Sequence, residues 1–352
     1  MGWTTACFNL FMVGCDALLI WRVARSGSYL AYPLVYAVFF GFFGVFAVPW
    51  FNLSFYGMRL YAYVIFLHAP AVLGISSLMA WNRKRGASLA GAGMAFVLLM
   101  VSFYSFVVEP SWLEVSRLAV YSPRIARPVR IVAIADLQTP RIGAYERRVF
   151  QRVIDEKPDI ILLLGDYLQL EEGDLDAAVR ETAILEETVR RLAPHARGGI
   201  YVVGGNIDGP GGASLFRGLP VTFLARSTTF RFQGICFTGL CSEDSRKPVG
   251  RIPMCDGYHV VFGHFPNFAL DTKGGDLLLA GHTHGGQVRL PFIGPLTSLS
   301  LIPRSWAAGV TDLGNGRKLL VSRGIGTEGM GAPKVRFLCR PELNVIDLVP
   351  GR

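Results

Sequence analysis

The chain has 352 residues, 51% of them hydrophobic, with 35 Lys and Arg against 26 Asp and Glu and a formal net charge of +9. So high an apolar fraction excludes a disordered chain, and excludes an ordinary soluble protein unless the apolar residues are gathered in one region. The basic residues are dispersed, with no aromatic-interleaved stripe, which argues against a nucleic-acid partner and for contact with anionic lipid headgroups.

The apolar residues are gathered at the front, where the only charges before Pro110 are Asp16, Arg22, Arg25, Arg59, Arg83, Lys84, Arg85 and Glu109. Four stretches approach the roughly 20 apolar residues that a membrane-crossing helix needs. They cover 4–21, 34–50, 60–81 and 89–108, with Trp21, Trp50 and Trp81 at their ends, where aromatic belts sit. The first carries Asp16 and the third His68, a polar contact expected to be satisfied within the bundle. Val13-Gly14-Cys15 is similar to a lipoprotein cleavage box, but no Lys or Arg precedes it, so cleavage is not expected. Arg22 and Arg25 after the first stretch and Arg83-Lys84-Arg85 after the third should face the cytoplasm, which puts the rest of the chain outside it. The expected division is a membrane region over 1–110 and a globular region over 111–352.

The segment 109–128 contains Leu113, Val115, Leu118 and Val120 and fits either a strand or an interfacial stretch. Beyond it, "VRIVAIAD" reads as a buried strand and "AYERRVFQRVIDEKP" as a helix with Phe150, Val153 and Ile154 on one face. "DIILLLGD", a helical stretch over 175–192, "GIYVVGGN", "YHVVFGHFP", "DLLLAGHTHGG", "RKLLVSRGIG" and "VRFLCRPELNVIDLV" follow. Continuous apolar strands alternating with helices predict an α/β sheet buried on both faces. The six cysteines have no metal-type spacing and are expected to be isolated thiols, with Cys236 and Cys241 the pair that could bridge in an oxidising compartment. His195 and His259 have no companions in sequence and receive no role.

Five of these runs end on a residue type that binds metal: Asp136, Asp166, Asn206, His264, and His282 with His284. One such ending is common turn chemistry, but five at the carboxyl ends of buried strands mark the place where α/β sheets build their sites. Two histidines at i and i+2 can serve one site only where the chain leaves strand geometry, which the glycines of "GHTHGGQ" (281–287) permit. Imidazoles, carboxylates and an Asn oxygen together suit two divalent metals of borderline hardness.

In order, "ADLQ", "GDYL", "GNID", "GHFP" and "GHTHGGQ" resemble the DxH, GDxx, GNHD, GH and GHxH motifs of the calcineurin-like metallophosphoesterases. The ending "SRGIGTEGMGAPKVRFLCRPELNVIDL" resembles the SRGxGT…RF…PE ending of the membrane-anchored bacterial branch. The resemblance implies a four-layer α/β/β/α sandwich behind about four transmembrane helices, in an integral protein of a bacterial inner membrane. It implies two metal ions, Mn²⁺ first with Fe or Zn as alternatives. One would be held by Asp136, the residue at the DxH histidine position, Asp166 and His284, the other by Asp166, Asn206, His264 and His282. Such a pair, about 3.5–4 Å apart in the family, would polarise a phosphoryl oxygen and supply a hydroxide for attack at phosphorus.

Two positions depart from the family. Gln138 stands where DxH has its histidine, and is either a weak ligand or turned elsewhere. Ile207 stands where GNHD has the histidine that helps protonate the leaving group, although Asn206 and Asp208 on either side remain as catalytic candidates. Losing a general acid costs about 10²–10⁴-fold where one is needed, so a phosphoanhydride is favoured over an alkyl ester. The UDP-diacylglucosamine pyrophosphohydrolases of the lipid A pathway are similar in their motifs and have Arg at this position. Arg289 or Arg323 are the candidates to bind substrate phosphate in its place. The expected function is therefore hydrolysis of a phosphate-containing lipid, lipid A-type or phospholipid, or of a lipid-linked nucleotide. The alternatives are a broad-specificity tethered phosphoesterase and a catalytically degraded scaffold.

Overall fold

In this computed structural model, which describes residues 2–50, 54–170, 173–209, 212–248, 252–329 and 331–351, the apolar front of the chain is helical. Helices α1 (Gly2–Ser26), α2 (Ala31–Trp50), α3 (Phe55–Tyr63), α4 (Ala69–Ala80) and α5 (Arg85–Phe103) follow in order, with π-helical turns at Val64–His68 and Tyr104–Val108. Because α3, its π-turn and α4 run on as one rod, three stretches among the described residues are long and apolar enough to cross a membrane. These are Trp3–Ser26, Phe55–Ala80 and Arg85–Ser111. The second expected span lies in α2, which counts as an apolar helix over Ala31–Gly41, its later side chains falling outside the described residues.

Asp16 and His68, which lipid could not solvate, satisfy each other at 2.6 Å, and the Tyr36 hydroxyl and Asn9 side chain complete the network at 3.3 and 3.0 Å. α4 and α5 approach closely through small residues, with Ser88 Oγ donating to the Ser77 carbonyl at 2.7 Å. The chain divides into two compact units, Met1–Val108 with Glu328–Val335, and Glu109–Thr327 with Arg336–Arg352. Eight residues from the far end of the sequence thus pack with the apolar helices, where a simple boundary near residue 110 would place them in the second unit.

The second unit is built on two six-stranded sheets. Its strands are β1 (Glu114–Ser122), β2 (Val129–Ile134), β3 (Ile160–Leu163), β4 (Ile200–Val202), β5 (Thr222–Phe223), β6 (Thr228–Phe232), β7 (Ile235–Gly239), β8 (His259–Phe262) and β9 (Leu277–Ala280). A two-stranded ribbon follows, β10 (Arg289–Leu290) and β11 (Gly294–Pro295), and then β12 (Gly309–Gly314), β13 (Arg317–Val321) and β14 (Glu342–Pro350). The sheet orders are β1-β14-β2-β3-β4-β5 and β12-β13-β9-β8-β7-β6. The ambiguous segment after the apolar helices is therefore a strand, β1, parallel to β14.

Alternation along the strands divides the core into layers. Ile131 and Ala133 of β2 and Ile160 and Leu162 of β3 meet Phe237, Val260, Phe262 and Leu279 of the second sheet. Their neighbours Val132, Ile134, Ile161 and Leu163 face the other way, onto α6 (Ala144–Asp155) and α7 (Leu175–Leu192). α6 presents Val149, Phe150 and Val153, with Ile154 packed at the edge, so its apolar face is the one its spacing predicts. The outer face of the second sheet, Val261, Leu278, Leu319 and Val321, is covered by Ile252 and by the short helical turn Pro266–Ala269. The architecture is thus the expected α/β/β sandwich with a thin fourth layer.

Cys236 is disulfide-bonded to Cys255, which corrects the expectation of isolated thiols or a Cys236–Cys241 pair. Cys236 lies near the start of β7 and Cys241 two residues past its end, and five steps of extended chain hold them about 17 Å apart. Cys236 is paired in register with His259 on β8, so the chain entering β8 brings Cys255 back beside it, with a Cα separation of 6.3 Å.

Candidate metal centre

Because β2, β3 and β4 run parallel, as do β7, β8 and β9, each set delivers its carboxyl ends together. The ligand-type residues sit just past those ends, and the backbone turns sharply to place them. Asp136, Gln138, Asp166, His282 and His284 all have positive φ, at 50°, 32°, 58°, 71° and 48°. Residues other than glycine adopt that region at a cost, and such positions cluster at functional sites. Gly165 lets the loops close on one another, since a Cβ there would lie 2.7 Å from His264 Nδ1 and 2.8 Å from the Gly205 nitrogen.

Asp166, His264 and His282 converge, with one ligand atom of each within 4.8 Å of the others. The Leu164 carbonyl, 2.8 Å from His264 Nδ1, accepts its proton and leaves Nε2 as the free lone pair. That Nε2 faces Asp166 Oδ2 at 3.3 Å and Asn206 Oδ1 at 3.1 Å. Three acceptors thus point at one place, which a cation would satisfy. Burial works against charge on His264, but Asp166 and its hydrogen bond prevail and raise the imidazole to about 9. The same contact keeps Asp166 below the ordinary carboxylate range although burial pushes it up. A bound cation would replace the proton that this pair otherwise holds.

His284 supplies a second test of fit. It is fully buried, neither ring nitrogen has a hydrogen-bond partner, and burial together with the Arg336 charge pushes its pKa down to about 3. A neutral imidazole with an unused lone pair in a buried site is a metal ligand in waiting. His282 is likewise lowered to about 3, by burial and by His264. Thr283 between them donates to the Ala307 carbonyl at 2.7 Å and accepts from Gly285 N, which fixes the bend that turns both rings inward. Asp136 is buried, accepts the His282 backbone N–H at 2.9 Å, and lies 3.7 Å from His264 Nδ1. Burial raises its pKa, and so does Asp166. Asp136, Asp166, Asn206, His264, His282 and His284 therefore fit a divalent-metal centre.

Other sequence candidates have different places. Gln138 donates its amide N–H to Gln169 Oε1 at 3.2 Å. Asp208 accepts from the backbone nitrogens of Asp166, Tyr167 and Gly205 at 2.9, 2.9 and 2.7 Å, so it clamps two metal loops together and is a positioning residue, not a catalytic one. Ile207 donates its backbone N–H to Asp166 Oδ1 at 2.8 Å and brings no protonatable side chain. Arg289 holds the Gly285 carbonyl at 3.2 Å beside the histidine loop. Arg323 is bound to Glu342 at 2.9 Å and Glu114 at 3.3 Å, which corrects its assignment to substrate phosphate.

Sequence reasoning missed Arg336. Its guanidinium is fully buried and donates to the carbonyls of Arg323, Gly324, Gly326 and Cys339 at 2.8, 3.2, 3.1 and 2.9 Å. The loop it holds lies on Asp136, whose carbonyl accepts from Ile325 N and Gly326 N at 3.1 and 2.8 Å. The signal was the RF and PE of the C-terminal ending, which are Arg336-Phe337 and Pro341-Glu342. One supplies this cage and the other the carboxylate that holds Arg323.

Residues 129–286 match the family model described as calcineurin-like phosphoesterase. The chain is 26% identical over 270 residues to phosphodiesterase YaeI of Escherichia coli, covering 70% of this chain and 92% of that protein. It is 26% identical over 285 residues to the metallophosphoesterase YkuE of Bacillus subtilis, covering 75% and 92%. Metal-ligand types at the ends of parallel strands, an unpartnered buried imidazole and this match agree. Residues 129–286 are a calcineurin-like metallophosphoesterase domain, which makes the protein a metal-dependent phosphoester hydrolase.

Proposed function

We propose that the protein is a membrane-anchored dimetal phosphohydrolase of a phosphate-bearing lipid or lipid-linked nucleotide, with a preference for phosphoanhydrides over alkyl esters. The observation that carries the preference is Ile207, together with the commitment of its neighbour Asp208 to three backbone N–H groups. An alkoxide needs a proton as it leaves, whereas a phosphate leaving from an anhydride is already a stable anion. With two divalent ions bound, the site would supply Lewis-acid activation of the phosphoryl group and a hydroxide nucleophile. His264, Asp166, Asn206 and His282 would hold one ion, and Asp136, Asp166 and His284 the other. The mixed nitrogen and oxygen donor set favours Mn²⁺, with Fe or Zn as alternatives. Leu164 O and Thr283 fix the imidazoles that do the holding, and Asp208 keeps the Asp166 and Asn206 loops in register.

The apolar helices support a membrane anchor, and in a bacterium that is the inner membrane. The Cys236–Cys255 disulfide supports a hydrolase unit on the oxidising, non-cytoplasmic side. The name of the Escherichia coli relative favours a second reading, a phosphodiesterase of broader specificity.

The test compares turnover of a lipid-linked pyrophosphate, an alkyl phosphodiester and an aryl phosphodiester by the full chain in detergent with saturating Mn²⁺. The anhydride should exceed the alkyl ester by about 10²–10⁴-fold, and Ile207→His should narrow that gap by raising the alkyl ester. Asp166→Ala should lose bound metal. Equal turnover of alkyl ester and anhydride by the unaltered protein would leave the second reading.

A further inference from the structure

We propose that the membrane unit holds a binding site for an anionic phospholipid, with the lipid phosphate between Arg59 and Lys334. This goes beyond the hydrolytic reading and holds whichever bond the metal centre breaks. The site is a cavity of about 490 Å³ whose walls include Tyr63, Phe66, Ser102 and Phe106 from the apolar helices, with Pro333 and Lys334 from the segment Glu328–Val335. All of these residues belong to the same compact unit.

The depth suits a headgroup. Arg59 lies four residues into α3, about 6 Å along the helix, and Phe106 lies two residues before Val108, where the unit's helices end. α3 with α4 runs one way and α5 returns after a short turn, so both residues are at the same end of the bundle.

The chemistry suits an anion with an acyl chain. Two cationic side chains line the cavity and no carboxylate does. Among the described residues neither cation is paired with an acid. Arg59 donates one N–H to the Ala332 carbonyl at 3.2 Å, which closes the segment over the cavity and leaves most of the guanidinium fork for a ligand. An unpaired guanidinium against apolar walls is costly, and a phosphate offsets that cost with charge-assisted hydrogen bonds. Tyr63 and Ser102 add hydroxyl donors, while Phe66 and Phe106, their rings 5.4 Å apart, offer an apolar face to a hydrocarbon tail.

Native mass spectrometry of the full chain, released from detergent with added phosphatidylglycerol or phosphatidylcholine, tests the site. The expected result is saturable retention of phosphatidylglycerol, with phosphatidylcholine weaker and millimolar inorganic phosphate without effect on it. Lys334→Gln should weaken retention roughly fivefold, and Arg59→Gln with Lys334→Gln together roughly 25-fold. Melting in lipid-free detergent controls for folding, and Lys334 is exposed, so its single variant keeps the test readable if the double variant misfolds. Equal retention by the variants, or equal retention of the two lipids, would overturn the proposal. Displacement of the lipid by inorganic phosphate would also overturn it and assign the cavity to free phosphate.

Discussion

Arg336→Met would remove the guanidinium's hydrogen bonds to the carbonyls of Arg323, Gly324, Gly326 and Cys339, of which Gly324 alone keeps a second donor, Glu342 N at 2.9 Å. Each carbonyl left without its partner costs about 1–3 kcal/mol. Removing the buried charge itself returns several kcal/mol of desolvation, so the net loss falls at about 3–5 kcal/mol. For a unit of this size that lowers the melting temperature by roughly 6–20 °C. The loop from Arg323 to Gly326 donates two backbone N–H groups to the Asp136 carbonyl, so loosening it also frees a metal ligand. Loss of such an outer partner weakens metal binding by about 10–100-fold. Thermal unfolding of the purified chain, followed by circular dichroism with and without Mn²⁺, reads the first effect, and titration of metal into the stripped protein reads the second. Arg336→Lys keeps the charge without the planar fork and should recover only part of either. A methionine variant that melts within about 2 °C of the parent and binds metal with equal affinity would refute the reasoning, because the cage would then hold nothing.

Glu342 gives a pH dependence of definite sign. Burial pushes its carboxyl up, but the Arg323 charge, hydrogen bonds from the Arg323 side chain and backbone, and one from Ser116 prevail and hold it below its ordinary 4.5. A carboxyl lowered by folding contributes stability that is complete above 4.5 and lost as pH falls through the folded value. Glu342→Gln should therefore be less stable than the parent at pH 6 and converge with it near pH 3 in denaturant melts, whereas a constant difference would place the interaction elsewhere. Cys255→Ser opens a loop of sequence separation 19 and should cost about 3 kcal/mol in protein folded in an oxidising compartment. Alkylation of the cell-made protein with and without reductant checks the same bond, since Cys7, Cys15, Cys241 and Cys339 are free in either case, and equal labelling of Cys236 and Cys255 in both samples would count against a non-cytoplasmic hydrolase unit.

Much of the site was legible because its logic is local. A buried strand announces itself by continuous β-branched and aliphatic residues, and the position just past its end can be counted, so Asp136, Asp166, Asn206, His264, His282 and His284 could be read along the chain. What could not be read depends on pairings distant in sequence. Arg323 resembled a free phosphate contact until β14 brought Glu342 to it, and β1 brought Glu114. Cys255 gave no signal of its partner, because only the register of β7 with β8 sets the two sulfurs together. Asp208 was legible as an acid in the site, but its role was not, since its three donors are backbone groups that any sequence has. The segment Glu328–Val335 reads as a loop of the hydrolase, and nothing in its composition assigns it to the membrane unit.

The left-handed backbone at Asp136, Gln138, Asp166, His282 and His284 sets this protein's function against its endurance. Each such residue holds a conformation that glycine would adopt freely, at about 1–3 kcal/mol apiece for the strained cases. A population of variants selected only for heat resistance would therefore drift toward glycine at these five positions and grow more robust as it lost its metals. Selection for turnover must continually oppose that drift, which makes the bent strand ends a record of catalysis written into the backbone itself.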